Sequence, residues 1–146
     1  MKRKYEFTGE TKIWRGFMLK RIRATIDFTL KCGIKIRKGE EGGWIAKEEN
    51  LSHEDSAWVY GDAKVCGNAE VERKSDVIWF KNIWTSGRTF TYTRSNGKWT
   101  VGCFYGTGEE LIKKAYADSE TSGKCYEAIV RATEEIYKAI ENKEEK

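Results

Sequence analysis

The sequence lacks any apolar run long enough to cross a membrane, and the residues that follow Met1 are mixed polar and charged. A transmembrane helix needs about 20 predominantly apolar residues, and a signal peptide needs an apolar core behind its basic start. We therefore expect neither a membrane span nor a signal peptide, and we predict a cytoplasmic protein.

Side chains that bind metals or act as nucleophiles are also scarce. The chain of 146 residues has one histidine, His53, and four cysteines that are widely separated and form no Cys-x-x-Cys pair. Zinc sites usually draw their ligands from closely spaced cysteine and histidine pairs. The sequence therefore predicts free and mostly buried thiols, no metal site, no cofactor and no catalytic residue.

Charge is unevenly distributed, although the net charge is only +4. Residues 1–38 hold twelve Lys and Arg against three acidic residues, and residues 77–106 hold four against none. Residues 39–76 hold four against ten, and residues 107–146 hold seven against ten. Unlike blocks could attract one another between copies of the chain, or a basic block could bind an anion, and solvated faces are the simplest alternative.

A hexapeptide pattern runs through residues 57–77. Its first position is alanine in three successive repeats and its third position is valine, with Gly-Asp and Gly-Asn near the end of the first two repeats. Alanine and valine suit a narrow triangular core, and the corners favour residues that tolerate positive φ. The pattern predicts about one coil of a left-handed parallel β-helix, which needs a cap at both ends.

The flanking segments predict an α+β fold around this coil. Alternating apolar residues before it indicate a small antiparallel β cap, and after it we expect a three-stranded antiparallel sheet followed by two helices. The strands are predicted at residues 77–83, 88–94 and 98–105, with a two-residue turn at Asn96–Gly97 that places Arg94 opposite Trp99 and Arg88 opposite Tyr105. Thr107 and Glu110 form a capping box for the first helix.

Two domains are expected, residues 1–76 with the cap and the coil, and residues 77–146 with the sheet and the helices. A ligand site is predicted on the second domain, because aromatic faces stack bases and guanidinium groups hold phosphates. An oligomer contact is predicted on the long second helix, whose apolar stripe exceeds what one small sheet needs to cover it. The ligand-site residues are Trp84, Arg88, Arg94, Trp99 and Tyr105, and the oligomer-contact residues are Tyr126, Ile129, Ile136, Tyr137 and Ile140.

A further basic cluster, Lys20-Arg21-Ile22-Arg23, lies in the N-terminal cap. Such patches contact phosphates in nucleic-acid-binding proteins, usually interleaved with aromatic residues. An exposed cationic edge strand that blocks aggregation is the simpler interpretation. Nucleic-acid binding is therefore kept as a less favoured alternative.

The chain resembles small hexapeptide-repeat proteins encoded by phages and prophages of Gram-positive bacteria. The resemblance rests on residues 19–24, 38–45 and 48–52, on the repeat, and on residues 86–94 running on to 102–107. It implies a phage origin, cytoplasm of the bacterial host as location and a left-handed β-helix, and it carries over no catalytic or binding residue. By analogy of gene context, it also implies counter-defence, either by inhibiting a host defence protein or by sequestering a small nucleotide signal.

These observations favour a non-enzymatic binding protein that forms a homo-oligomer. A purely structural scaffold is the main alternative. A hexapeptide acyltransferase is disfavoured, because those enzymes use a histidine at the interface of trimeric coils as general base. This chain has a single histidine and too few coils to form that cleft.

Overall fold

The computed structural model describes residues 3–30, 33–53, 57–72, 76–81, 83 and 88–144. The fold is mixed α+β, as predicted, with ten strands and two α-helices in this part of the chain. Two compact units are present, Met1–Tyr105 and Gly106–Lys146. The predicted boundary at residues 76 and 77 lies inside the first unit, where backbone and side-chain hydrogen bonds link the repeat to the sheet that follows it.

The first sheet has the strand order β1-β2-β5-β6. The antiparallel hairpin of β1 (Tyr5–Trp14) and β2 (Phe17–Ala24) turns at Arg15 and Gly16, whose φ angles of 48° and 83° suit a tight two-residue turn. Strand β5 (Glu41–Ile45) is antiparallel to β2. A short second pair, β3 (Phe28–Thr29) with β4 (Lys35–Ile36), completes the antiparallel N-terminal elements.

Parallel pairing links the repeat to the chain before it at a constant offset of 20 residues. Trp44 pairs with Lys64 and Ile45 with Val65 between β5 and β6 (Lys64–Val65), and Leu51 forms a parallel bridge with Val71. The repeat's alanines and valines are all buried, which confirms the predicted inward positions (Ala57, Val59, Ala63, Val65, Ala69 and Val71). Gly61 and Gly67 have positive φ, as expected at the corners.

The second sheet has four strands and not the three predicted. Its order is β10-β9-β8-β7, with β7 Val77–Lys81, β8 Thr89–Thr93, β9 Lys98–Val101 and β10 Phe104–Gly106. The segment predicted as one strand over residues 98–105 is interrupted at Gly102, whose φ of 55° allows the chain to turn.

The predicted register of the β8–β9 hairpin is wrong by two residues. Tyr92 pairs with Trp99 and Thr93 with Lys98, so residues 94–97 form a four-residue loop. The side chain of Asn96 stabilises this loop, because its Oδ1 accepts hydrogen bonds from Thr93 Oγ1 at 2.5 Å and from Lys98 N at 3.2 Å. Arg94 is therefore not opposite Trp99, and Arg88 is not opposite Tyr105. A shift of two residues leaves each side chain on its predicted face.

The threonine face of this sheet packs against the repeat. Thr89, Thr91, Thr93 and Thr100 are buried. Lys64 N donates to Thr91 Oγ1 at 3.1 Å, and Glu70 N donates to the Ser95 hydroxyl at 2.7 Å. Threonine hydroxyls thus satisfy backbone groups that the short β6 strand leaves unpaired.

The second unit is a helical hairpin of α1 (Gly108–Asp118) and α2 (Glu120–Glu144). The predicted capping box is confirmed, since the Thr107 side chain accepts from Glu110 N and the Glu110 carboxylate accepts from Thr107 N. The Tyr116 ring covers Gly123, and its hydroxyl donates to Glu127 at 2.8 Å. None of the described helices is both long and apolar enough to span a membrane.

Candidate functional site

The residues predicted as a ligand site do not form a shared exposed surface. Trp84 lies outside the described residues. Trp99 is only 2% exposed and packs against the rings of Phe90 and Tyr92, so it has no free face on which a base could stack. Arg94 lies beside Asp76, with Nη1 3.9 Å from Oδ1. The stem of Arg88 lies against Gly102, where an added Cβ would come within 2.9 Å of its Cδ.

Tyr105 joins parts of the first unit to one another. Its ring meets those of Trp14 and Phe17 edge-on at 5.9 and 5.8 Å. The indole of Trp14 also donates to Gly102 O at 2.5 Å, which fastens the tip of the β1–β2 hairpin to the turn before β10. A Cβ on Gly67 would lie 2.7 Å from the Tyr105 hydroxyl oxygen, so the corner of the repeat needs glycine there. These contacts give Tyr105 a structural role.

The predicted oligomer stripe on α2 is divided by burial. Tyr126 and Tyr137 are buried, and Ile129 and Ile140 are half-buried. Ile136 is 40% exposed, and it is the one residue of this set that offers a large apolar surface to solvent. An oligomer contact through this stripe stays a prediction.

A different cluster of cations and aromatic rings lies on the first unit, and we call it the basic–aromatic surface. It comprises Lys12, Arg21, Trp44, Lys64, Trp79 and Lys81, arranged about the carboxylate of Asp62.

The centre of this surface is a row of three side chains across neighbouring strands. Arg21 pairs with Trp44, and Trp44 pairs with Lys64, so the three lie side by side on one face of the sheet. Lys12 Nζ lies 4.1 Å from the centroid of the Trp44 ring, and Arg21 Cζ lies 5.6 Å from it. Cations at these distances are attracted to the ring face. The buried Trp44 Nε1–H has no acceptor among the described residues.

Three lysines share one carboxylate at the edge of this row. Lys81 Nζ lies 3.1 Å from Asp62 Oδ2, and this hydrogen bond lowers the pKa of Asp62. Burial, followed by the charge of Lys12, lowers the pKa of Lys64. Burial also lowers the pKa of Lys12, and the charge of Arg21 adds to the effect. The positive charges therefore exceed the negative charge available to them, and a bound anion would relieve their repulsion.

Trp79 adds an exposed aromatic ring beside the lysines. It is 41% exposed on β7, and it lies two residues before Lys81 and thus on the same side of the strand. Its ring centroid is 6.5 Å from that of Tyr60. Exposed indole rings stack nucleobases, and lysine ammonium groups bind phosphates. The surface therefore combines the two kinds of group that recognise a nucleotide.

Sequence analysis missed most of this surface because its members are far apart in the chain. Of the basic cluster at residues 20–23, only Arg21 belongs to it. Arg23 is held by the Glu6 carboxylate, which accepts from its Nε at 3.0 Å and its Nη2 at 2.8 Å. The available signal was a lysine at an outward position of the repeat, Lys64, beside Asp62 at a corner.

His53, the only histidine, is arranged as a hydrogen-bond donor. Its Nδ1 accepts from Lys4 N at 3.0 Å, and its ring stacks on Tyr5 with centroids 4.0 Å apart. Because Nδ1 accepts, the neutral imidazole carries its proton on Nε2. Neither nitrogen then has a free lone pair with which to take a proton from a substrate, which argues against a general base at this position.

We expect His53 to make stability depend on pH below neutrality. Burial, followed by the charge of Arg3, lowers the pKa of His53 in the folded protein. The unfolded chain takes up a proton near pH 6.5, so the stabilisation is complete above that pH and is lost as the pH falls below it. Urea unfolding at pH 7 and pH 5 should show a larger loss for the wild type than for His53→Gln. An NMR titration midpoint at or above 6.5 would contradict this.

Metal and thiol chemistry find little support in the described residues. No three His, Cys, Asp or Glu side chains there are close enough to hold a metal ion. Cys66, Cys103 and Cys125 are free, and burial raises the pKa of Cys66 to about 11, which keeps it a thiol at neutral pH. Cys32 lies outside the described residues.

Comparison with known proteins gives no family for the chain. No protein-family model, no curated protein and no solved structure matches it at a significant level.

Proposed function

We propose that this protein is a non-enzymatic binding protein that sequesters a small nucleotide at the basic–aromatic surface. The observation that carries the proposal is the convergence of Lys12, Lys64 and Lys81 on the single carboxylate of Asp62 beside the exposed ring of Trp79. In this arrangement the lysines hold the phosphates and Trp79 stacks the base.

The biological role that fits this proposal is counter-defence in an infected bacterial cell, by removal of a nucleotide-derived immune signal. This step rests on the resemblance to phage and prophage hexapeptide-repeat proteins. The same resemblance carries the finer proposal about the fold, in which the two parallel rungs form one coil of a left-handed β-helix. Inhibition of a host defence protein is the other form of counter-defence, and co-purification from a host extract distinguishes the two.

Removing two of the lysines should abolish most of the nucleotide affinity. The proposal predicts that a cyclic mono- or dinucleotide raises the melting temperature of the protein in a thermal-shift panel. Calorimetry should then show affinity about tenfold lower or more for each lost contact in Lys64→Gln with Lys81→Gln, because a hydrogen bond to a charged group contributes about 1.5–3 kcal/mol.

The matched control is Lys35→Gln with Lys38→Gln, which removes the same charge from exposed positions outside the surface. Its affinity should equal that of the wild type. A panel in which no nucleotide shifts the melting temperature would refute sequestration and favour a protein target or a scaffold. Equal losses in both double variants, with affinity falling steeply as salt rises, would indicate non-specific binding of nucleic acid.

A further inference from the structure

A groove on the first unit lies where the chain passes from its first parallel rung to the second. It has a volume of about 420 Å³ and is open to solvent. The floor is formed by Leu51 and Val71, the two residues of the isolated parallel bridge. The remaining lining residues are Glu48, Glu49, Ser52, His53, Glu70 and Glu72.

Acidic side chains line this groove on both rungs, and most are not neutralised. Glu48 forms an ion pair with Arg3. Within the described part of the chain, no salt bridge involves the carboxylates of Glu49, Glu70 or Glu72. The backbone beneath them is satisfied internally, since Glu70 N donates to Ser95 and Glu72 N donates to the Asp76 carboxylate. The free carboxylates therefore favour a cationic ligand.

His53 supplies a second and independent sign of a ligand. Its side chain is 9% exposed and lines the groove, and its Nε2 is a buried atom with no hydrogen-bond partner among the described residues. The nearest carboxylate oxygen, Glu48 Oε1, lies 3.8 Å away and is engaged by Arg3. A buried N–H without an acceptor is costly, so the site is incomplete without a group that accepts from Nε2–H.

We propose that this groove binds an extended basic segment of a protein partner, separately from the nucleotide site. The arginine or lysine groups of the segment pair with Glu49, Glu70 and Glu72, and their aliphatic stems lie over Leu51 and Val71. A backbone carbonyl of the segment accepts the hydrogen bond from His53 Nε2–H. A polyamine would satisfy the carboxylates and leave this donor unpaired, because it has no carbonyl oxygen.

The single histidine makes a direct test possible. Protein labelled with ¹⁵N-histidine gives the ring-nitrogen signals of His53 alone, and it is titrated with an N-acetylated, C-amidated tetra-arginine peptide and, separately, with spermine. Each probe carries four positive charges at neutral pH, and only the peptide has carbonyl acceptors. We expect the peptide to move the Nε2–H resonance and to bind about fivefold more tightly than spermine, as one additional hydrogen bond would allow.

Charge-removing variants complete the test. Glu70→Gln with Glu72→Gln should lower the affinity for the peptide by about tenfold or more. Glu40→Gln with Glu41→Gln removes the same charge from exposed residues that do not line the groove, and it should leave the affinity unchanged. The proposal is overturned if the two double variants behave alike, if spermine binds as tightly as the peptide, or if the peptide binds without moving the His53 signal. None of these results depends on nucleotide binding.

Discussion

Replacing Gly43 with alanine should destabilise the protein by about 3 kcal/mol or more, at the upper end of what overpacking causes. A Cβ at this position would lie 2.7 Å from Ala63 O, 2.9 Å from Tyr60 O and 2.8 Å from Val59 Cγ1. Two of these atoms are backbone carbonyl oxygens, so the clash cannot be relieved by a change of rotamer. Urea unfolding followed by circular dichroism measures the loss.

The reason for this close approach is the parallel stacking of the two rungs. Gly43 N donates to Val59 O at 2.7 Å, and Trp44 N donates to Ala63 O at 3.0 Å. An added methyl group would push β5 away from the repeat and break both hydrogen bonds. The same change would displace Trp44, the central residue of the basic–aromatic surface, so the nucleotide affinity should fall together with stability.

Gly39→Ala is the control for this prediction, because it separates backbone strain from steric clash. Gly39 has a φ of 91°, and a Cβ there would meet nothing within 4 Å. The expected cost is the left-handed penalty alone, about 1–2 kcal/mol. If Gly43→Ala costs no more than Gly39→Ala, the two rungs are not packed as closely as the structure has them.

Replacing Asn50 with alanine should also cost about 3 kcal/mol or more, because it removes hydrogen bonds from four buried backbone groups. The Asn50 side chain is fully buried, and its Oδ1 accepts from Ala46 N and Lys47 N, each at 3.0 Å. Its Nδ2 donates to Ala69 O at 2.8 Å and to Gly67 O at 3.3 Å. Asn50 thus links one rung to the next through a single amide.

Two variants sharpen this test. Asn50→Asp keeps the acceptor and replaces the donor with an oxygen that faces two carbonyl oxygens, so it should be at least as destabilising as Asn50→Ala at neutral pH. Asn68→Ala removes an exposed amide whose Oδ1 accepts from Asn96 Nδ2 at 3.3 Å, and it should cost less than about 1 kcal/mol. Equal unfolding free energies for Asn50→Ala and Asn68→Ala would show that the buried amide does not connect the rungs.

Local patterns predicted the elements whose formation depends on nearby residues. The capping box at Thr107 and Glu110 begins α1 as expected, because both partners lie within one turn. The alternation of alanine and valine in the repeat correctly predicted which side chains are buried. The hairpin register failed because the Asn96 side chain stabilises a four-residue loop, and an Asn-Gly pair read as a two-residue turn does not reveal that bond.

The candidate site was predicted less well than the fold, and the difference has a physical cause. Trp99 was expected at an exposed rim, and it is buried because its face of the hairpin has the rings of Phe90 and Tyr92 beside it. Lys12, Lys64 and Lys81 converge on Asp62 although they belong to three separate strands, β1, β6 and β7. Periodicity along the chain does not contain that convergence.

The sequence by itself determined which segments form strands, helices and the repeat, since hydrophobic period, glycine at corners and helix caps act over a few residues. Only the tertiary structure decided what these segments bring together. The offset of 20 residues between the rungs places Trp44 beside Lys64 and buries Asn50 beneath the repeat. Both results follow from close packing of backbone at Gly42 and Gly43, where distant parts of the chain approach to within contact distance.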